Sequence, residues 1–150
     1  MLTFVRCTGE DALFRALAAE LDEDLLARYG AQMAFFGPHN KSAHIKTALV
    51  ASLDGEPAGC GCFQPFSETA VEMKRVFVSL RFRGRGVGRE MMAYLERWAR
   101  EIGYRAAMVE TGILQPEAIR LYEATGYERI PNYPPYEGVK ESVCFQKSLI

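Results

Sequence analysis

Arg83-Gly84-Arg85-Gly86-Val87-Gly88 lies between an apolar run, Val76-Phe77-Val78, and an amphipathic stretch with the periodicity of a helix. Glycine lets the backbone turn tightly and leaves bare N–H groups accessible. The first N–H groups of a helix have no intrahelical acceptor and sit at the positive end of its dipole. Strand, glycine loop and helix start, in that order, make an anion site suited to a phosphate or diphosphate. Arg81, Arg83, Arg85 and Arg89 add positive charge around it. The dinucleotide pattern Gly-x-Gly-x-x-Gly fails, because Arg89 stands where the third glycine belongs. No Gly-Lys-Ser/Thr follows, so the P-loop pattern fails too.

The flanking chain reads as a mixed α/β domain. Leu2 to Arg6 is a short strand. Asp11 can cap a helix with Leu13, Leu17, Leu21 and Leu25 on its apolar face, and Gly30 ends that region. Lys46 to Leu53 and Glu56 to Phe66 form two strands joined by the hairpin signal Asp54-Gly55, and a third strand runs from Ala70 to Ser79. After the glycine loop, Met91, Leu95, Trp98 and Ile102 share one helix face, and Glu96 with Arg100 has the spacing of a favourable pair. Arg105 to Glu110 is an apolar strand, and Pro116 opens a helix that Gly126 stops. Short strands at Tyr127 to Ile130 and Glu141 to Leu149 flank a loop from Asn132 to Gly138. Antiparallel pairs come first, and a crossover unit surrounds the glycine loop.

Bulk properties narrow the function classes. A chain of 150 residues is expected to be a single domain, residues 1–150, with a core that needs no disulfide or metal. A formal charge of -1 argues against a general nucleic-acid binder and makes the arginine cluster local. Cys7, Cys60, Cys62 and Cys144 form no Cys-x-x-Cys pair and have no metal spacing with His39 or His44, so they read as buried small hydrophobes. No metal is expected. The N-terminus lacks the charged and apolar regions of a signal peptide, and no apolar run has membrane-spanning length. These features suit a reducing cytoplasm.

The glycine loop resembles the Arg/Gln-x-x-Gly-x-Gly/Ala signature of the GNAT superfamily of N-acetyltransferases. Ala118-Ile119-Arg120-Leu121-Tyr122-Glu123-Ala124-Thr125-Gly126-Tyr127 is similar to that family's second motif, Ala-x-x-Leu-Tyr-x-x-x-Gly-Phe/Tyr. The resemblance implies a GNAT-like α/β fold (α+β mixed): a mostly antiparallel sheet of about seven strands, flanked by helices, with a splayed strand pair at the acetyl-CoA site. It implies direct transfer of an acetyl group from acetyl-CoA, the co-substrate, to an amine, with no enzyme nucleophile.

By the same resemblance, Arg83, Gly84, Arg85, Gly86, Val87 and Gly88 bind the diphosphate, with Arg89 assisting. Val76, Phe77 and Val78 line the pantetheine arm. Gln115 stands where the family often has Asn, with the same amide on a longer stem. Tyr122 corresponds to the general acid that protonates the departing thiolate. Glu72, eleven positions before Arg83, matches the general base of some protein-lysine members, or is an exposed strand residue. Glu110 is a second candidate for the base or for holding the amine. Acceptor recognition falls to Leu21 to Lys41 and to the tyrosine-rich loop, with Tyr29, Phe35, Tyr133 and Tyr136 as candidates; acidic and aromatic groups suit a cationic amine. The expected partner is a small-molecule amine acceptor, with a homodimer left open and no nucleic acid or membrane. The alternatives are a protein lysine or N-terminal acetyltransferase and a non-catalytic acyl-CoA-binding module.

Overall fold

A computed structural model describes residues 1–30 and 42–150. Among the described residues, seven strands form one sheet in the order β1-β2-β3-β4-β5-β7-β6. The strands are β1 (Leu2–Cys7), β2 (Thr47–Leu53), β3 (Glu56–Pro65), β4 (Ala70–Val78), β5 (Ala106–Gly112), β6 (Glu128–Ile130) and β7 (Ser142–Ser148). All neighbours pair antiparallel except β4 and β5, which run parallel. Parallel neighbours need a crossover, and α2 (Val87–Ile102) supplies it.

Alternation along the strands sends residues to two layers. Ala48 and Val50 of β2 and Cys60 and Cys62 of β3 pack under α1 (Ala12–Tyr29). Leu49, Ala51, Val71, Met73, Val109 and Phe145 face the opposite layer, built by α2 and α3 (Pro116–Ala124).

The Asp11 carboxylate caps α1, accepting from the N–H groups of Leu13 and Phe14 at 3.0 and 3.1 Å. The buried face of α1 is Phe14, Leu17, Ala18, Leu21, Leu25 and Tyr29, whereas Leu13 is exposed. Steps of four residues drift from the 3.6-residue helical period, so a leucine row at that spacing rotates off the sheet at one end. Ile102 at the end of α2 is likewise exposed. Glu96 does not take the expected helical partner: it is buried, accepting from the Tyr127 hydroxyl at 2.9 Å and pairing with Lys147 at 2.8 Å. A buried carboxylate needs such partners.

Two irregularities open the sheet. On β4, Lys74 faces Cys62 and Phe77 faces Cys60, so Arg75 and Val76 together stand opposite Gly61. Arg75 takes φ +57°, and the bulge puts Lys74 and Arg75 on the α1 side together. Carbonyls displaced from the ladder find other donors: the thiols of Cys60 and Cys62 reach the Arg75 and Lys74 carbonyls, each at 3.3 Å. The second irregularity follows. Pairing of β4 with β5 stops at Met73 and Val109, while β4 runs on to Val78 and β5 stays paired with β7 to Gly112. The two strands therefore diverge at their carboxyl ends, where ligands of parallel sheets bind.

Candidate active site

Two cavities meet in the opening between β4 and β5. The larger, about 370 Å³, is bounded by Val76, Phe77 and Val78, by the loop and first turn of α2, and by α3. The Ser79 N–H donates to the Ala58 carbonyl on β3 at 2.8 Å. Alternation then turns the N–H and C=O of Val78 to the other edge, into the opening.

The glycine loop forms one end of this cavity. Gly84 and Gly86 have φ of +79° and +80°, a region that residues with a Cβ rarely enter. Gly86 caps α2, and the first intrahelical bond runs from the Glu90 N–H to the Gly86 carbonyl at 3.1 Å. The N–H groups of Val87, Gly88 and Arg89 thus have no acceptor within the helix. Arg83, Gly84, Gly86, Val87, Gly88 and Arg89 all line the cavity. Arg83 is held inward, its Nε donating to the Val78 carbonyl at 2.9 Å and its guanidinium 3.8 Å from Glu117. Arg85 is exposed, its side chain turned toward the Phe82 ring and off the cavity lining. Arg120 on α3 also lines the cavity; it occupies a variable position of the second motif, which hid it from sequence reading.

The smaller cavity, about 60 Å³, lies on the other side of Tyr122. Leu21, Leu25 and Tyr29 of α1 form its roof, Glu72 to Val76 one wall, and Val109 to Gly112 the other. Leu21, Val76, Gln115, Ala118 and Tyr122 line both cavities. Tyr122 is buried against Tyr127 and Phe145. Burial, reinforced by the Glu110 carboxylate, pushes its hydroxyl pKa well up, so it stays protonated at neutral pH. Gln115 folds its longer side chain back to accept from the Gly112 N–H at 3.2 Å.

The two candidate carboxylates differ sharply. Glu72 is buried and engaged: its Oε2 accepts from the Tyr133 hydroxyl at 2.9 Å, its Oε1 accepts from Gln64 Nε2 at 3.2 Å, and Lys74 Nζ stands 4.0 Å from the same oxygen. Glu110 also faces the small cavity, and its Oε2 is buried without a hydrogen-bond partner among the described residues. Burial pushes the Glu110 pKa up to about 7; Ser142 and Lys74 oppose the rise and Glu72 adds to it.

The remaining candidates fall behind the walls or outside the described residues. Tyr133 and Tyr136 pack with Ala70, Met108 and Cys144 beneath the β6–β7 connection rather than on the cavity lining. Tyr136 lies 3.3 Å from Lys74 Nζ. The Tyr29 hydroxyl accepts from the Leu114 N–H at 3.1 Å. Phe35 lies outside the described residues. Sequence reading passed over Lys74 and Arg75, although two adjacent cations within a buried strand were a visible signal. Among the described residues, no group of three or more His, Cys, Asp or Glu side chains could hold a metal ion, and no helix is long and apolar enough to cross a membrane.

The family model of the GNAT acetyltransferases matches residues 11–127. This chain belongs to the GNAT family. Its acetyltransferase relatives include the IAA acetyltransferase of Azospirillum brasilense, 34% identical over 102 residues that cover 67% of each chain. A solved structure from Klebsiella pneumoniae, named as an acyl-CoA N-acyltransferase, superposes with a TM-score of 0.84 at 33% identity, covering 100% of this chain and 99% of the other. The fold alone is shared with the N-acetylglutamate synthase of Neisseria gonorrhoeae, solved with coenzyme A and N-acetylglutamate: TM-score 0.73, 17% identity, covering 100% of this chain and 35% of that one. The GNAT fold is thus present with its open strand pair, and this GNAT chain is an acetyltransferase.

Proposed function

We propose that this GNAT enzyme moves an acetyl group from acetyl-CoA to the primary amine of a small molecule, by direct attack in a ternary complex, within one domain spanning residues 1–150. The observation that carries this reading is the meeting of two unequal cavities at Tyr122. One ends in an anion site and has an open strand edge. The other is small and ends in a carboxylate.

When bound, acetyl-CoA supplies a thioester whose carbonyl carbon is attacked and whose sulfur departs. The N–H groups of Val87, Gly88 and Arg89, with the Arg83 and Arg89 side chains, hold its diphosphate; Gly84 and Gly86 give the loop its shape, and Arg85 adds charge from outside. Fit to a diphosphate is favoured by those helix-start N–H groups and by the left-handed glycines that expose them. Val76, Phe77 and Val78 hold the pantetheine arm, and Gln115 and Ala118 narrow the passage between the cavities.

We assign the general base to Glu110 rather than Glu72. A base needs an oxygen free to take a proton, and Glu72 spends both of its oxygens on Gln64 and Tyr133. Glu110 accepts one proton from the attacking amine, directly or through a water. The Tyr122 hydroxyl gives one proton to the departing sulfur and recovers it, through solvent, from Glu110. An amine that enters as ammonium releases one further proton to water. Tyr29, with Leu21 and Leu25, closes the acceptor side. The free thiols of the chain suit a reducing cytoplasm.

Coenzyme A release measured with panels of small amines and of peptides tests this reading. Turnover with small amines is expected; turnover with peptides alone would overturn it.

A further inference from the structure

Arg83 reaches from the glycine loop to the open edge of β4. Its Nε donates to the Val78 carbonyl at 2.9 Å, beyond the point where pairing with β5 stops. Its guanidinium carbon lies 5.6 Å from the centre of the Phe77 ring, and one guanidinium nitrogen lies 3.8 Å from Glu117 Oε1. Arg28 of α1 pairs with that same oxygen and at closer range, so the carboxylate holds Arg83 as the looser of two partners. Phe77, Val78, Arg83 and Glu117 all line the larger cavity.

Resting on the acetyl-CoA reading above, we infer that Arg83 makes the larger cavity selective for thioesters that carry a diphosphate. The Val78 carbonyl is a backbone group open to the pantetheine arm, and Arg83 already stands against it. An arm alone must displace a charge-assisted hydrogen bond and brings no anion for the guanidinium. A diphosphate at the start of α2 supplies a stronger partner, because its oxygens are charged and match the planar fork of arginine. The guanidinium then turns from Val78 to the phosphate and clears the strand edge. Glu117 keeps Arg28, so the move leaves no carboxylate alone. Selection comes from an obstacle that only a donor with a diphosphate removes. Without that anion the open form is a minor population, and apparent affinity for the arm falls by the same fraction.

Calorimetry tests this by comparing acetyl-CoA with S-acetylpantetheine, which keeps the arm and lacks the diphosphate and the nucleoside. Arg83→Met keeps an unbranched stem beside Phe77 and removes the donor. S-Acetylpantetheine is expected to bind this variant at least threefold more tightly than the wild type, and acetyl-CoA at least threefold more weakly. A residue that only touches the diphosphate would weaken acetyl-CoA alone, and one that only stiffens β4 would weaken both ligands; either pattern overturns the inference. A second measurement needs no variant. Saturating inorganic pyrophosphate, at matched ionic strength, is expected to tighten S-acetylpantetheine binding to the wild type at least threefold. Unchanged binding with pyrophosphate would overturn the inference and leave the acetyl-CoA reading standing. A wild type that binds no acetyl-CoA would overturn both.

Discussion

The Tyr133 hydroxyl donates to Glu72 Oε2 at 2.9 Å, across a sequence separation of 61 residues. That bond ties the β6–β7 connection to β4 and occupies the carboxylate that resemblance alone would make the base. Glu110→Gln is therefore expected to lower kcat by roughly the 10²–10⁴-fold of a lost general base. Glu72→Gln keeps an acceptor for Tyr133 and is expected to cost less than about tenfold, by the same reasoning. Steady-state rates of both variants at saturating acetyl-CoA check the assignment; the reverse order of severity would return the role to Glu72.

The pH profile follows from the same group. Glu110 has its pKa raised by burial to about 7, with Lys74, Glu72, Ser142 and Tyr122 as its polar neighbours. Activity on the free enzyme should rise as pH passes through about 7, because the base must be ionised. Stability moves the other way. The folded state holds this proton more tightly than the unfolded chain, so folding loses stability between about pH 4.5 and 7. Glu110→Gln removes that loss. Denaturant melts should show the variant gaining on the wild type across this window, by up to about 3 kcal/mol, with no gain below it.

Tyr122→Phe separates chemistry from packing. The ring packs against Tyr127 and Phe145, contacts that phenylalanine preserves. Thermal stability and the acetyl-CoA dissociation constant should stay near those of the wild type. The turnover rate should fall by roughly 10²–10⁴-fold, the range of general acid catalysis, without vanishing. A thiolate is a tolerable leaving group even unprotonated. Rate and binding measured on one preparation distinguish this from a core tyrosine without a chemical role.

The glycine-loop end of the larger cavity, which we propose holds the diphosphate, is expected to answer to charge rather than to space. A Cβ added at Gly86 would meet no atom within 4 Å, so the cost of substitution is the left-handed backbone. That cost is about 1–2 kcal/mol for any ordinary residue. Gly86→Ala should weaken acetyl-CoA binding modestly through loop strain. Gly86→Glu adds a carboxylate at an anion site and should weaken it at least tenfold beyond Gly86→Ala, a difference that shrinks in high salt. Calorimetry of the two variants at two ionic strengths reads both effects.

The sequence made legible what depends on local chemistry. Strand, glycine loop and helix at Val76 to Arg89 follow from periodicity and from glycine, and the Asp11 cap and the Asp54-Gly55 hairpin follow from turn chemistry. What depends on distant partners was not legible. Nothing near Glu72 announces that Tyr133 and Gln64 consume its oxygens. The bulge at Arg75 has no glycine or proline of its own; the relief sits across the ladder at Gly61. Glu96 is buried and pairs with Tyr127 and Lys147, partners that outweigh the weak i,i+4 pairing its spacing suggested. Arg85 shared its motif with residues that line the cavity, yet the turn of the loop pointed it elsewhere.

One close approach closes the small cavity, and it supplies the final prediction. A Cβ at Gly112 would lie 1.6 Å from the Tyr29 hydroxyl oxygen and 2.5 Å from its ring. That hydroxyl accepts from the Leu114 N–H at 3.1 Å, while Arg28 reaches the Leu114 carbonyl at 2.7 Å and pairs with Glu117. The end of α1 is thus fastened to the start of α3 across the opening between β4 and β5. Gly112→Ala must expel the tyrosine, costing about 1–3 kcal/mol for overpacking, together with the hydrogen bond from the Leu114 N–H. KM for the acceptor should rise while acetyl-CoA binding holds, because Tyr29 lines the small cavity and not the large one. Tyr29→Leu combined with Gly112→Ala should cost less than the sum of the two single changes, by at least about 1 kcal/mol, since the clash exists only when both the methyl and the phenol are present. Strict additivity in that double-mutant cycle would show that α1 does not close the site at this contact.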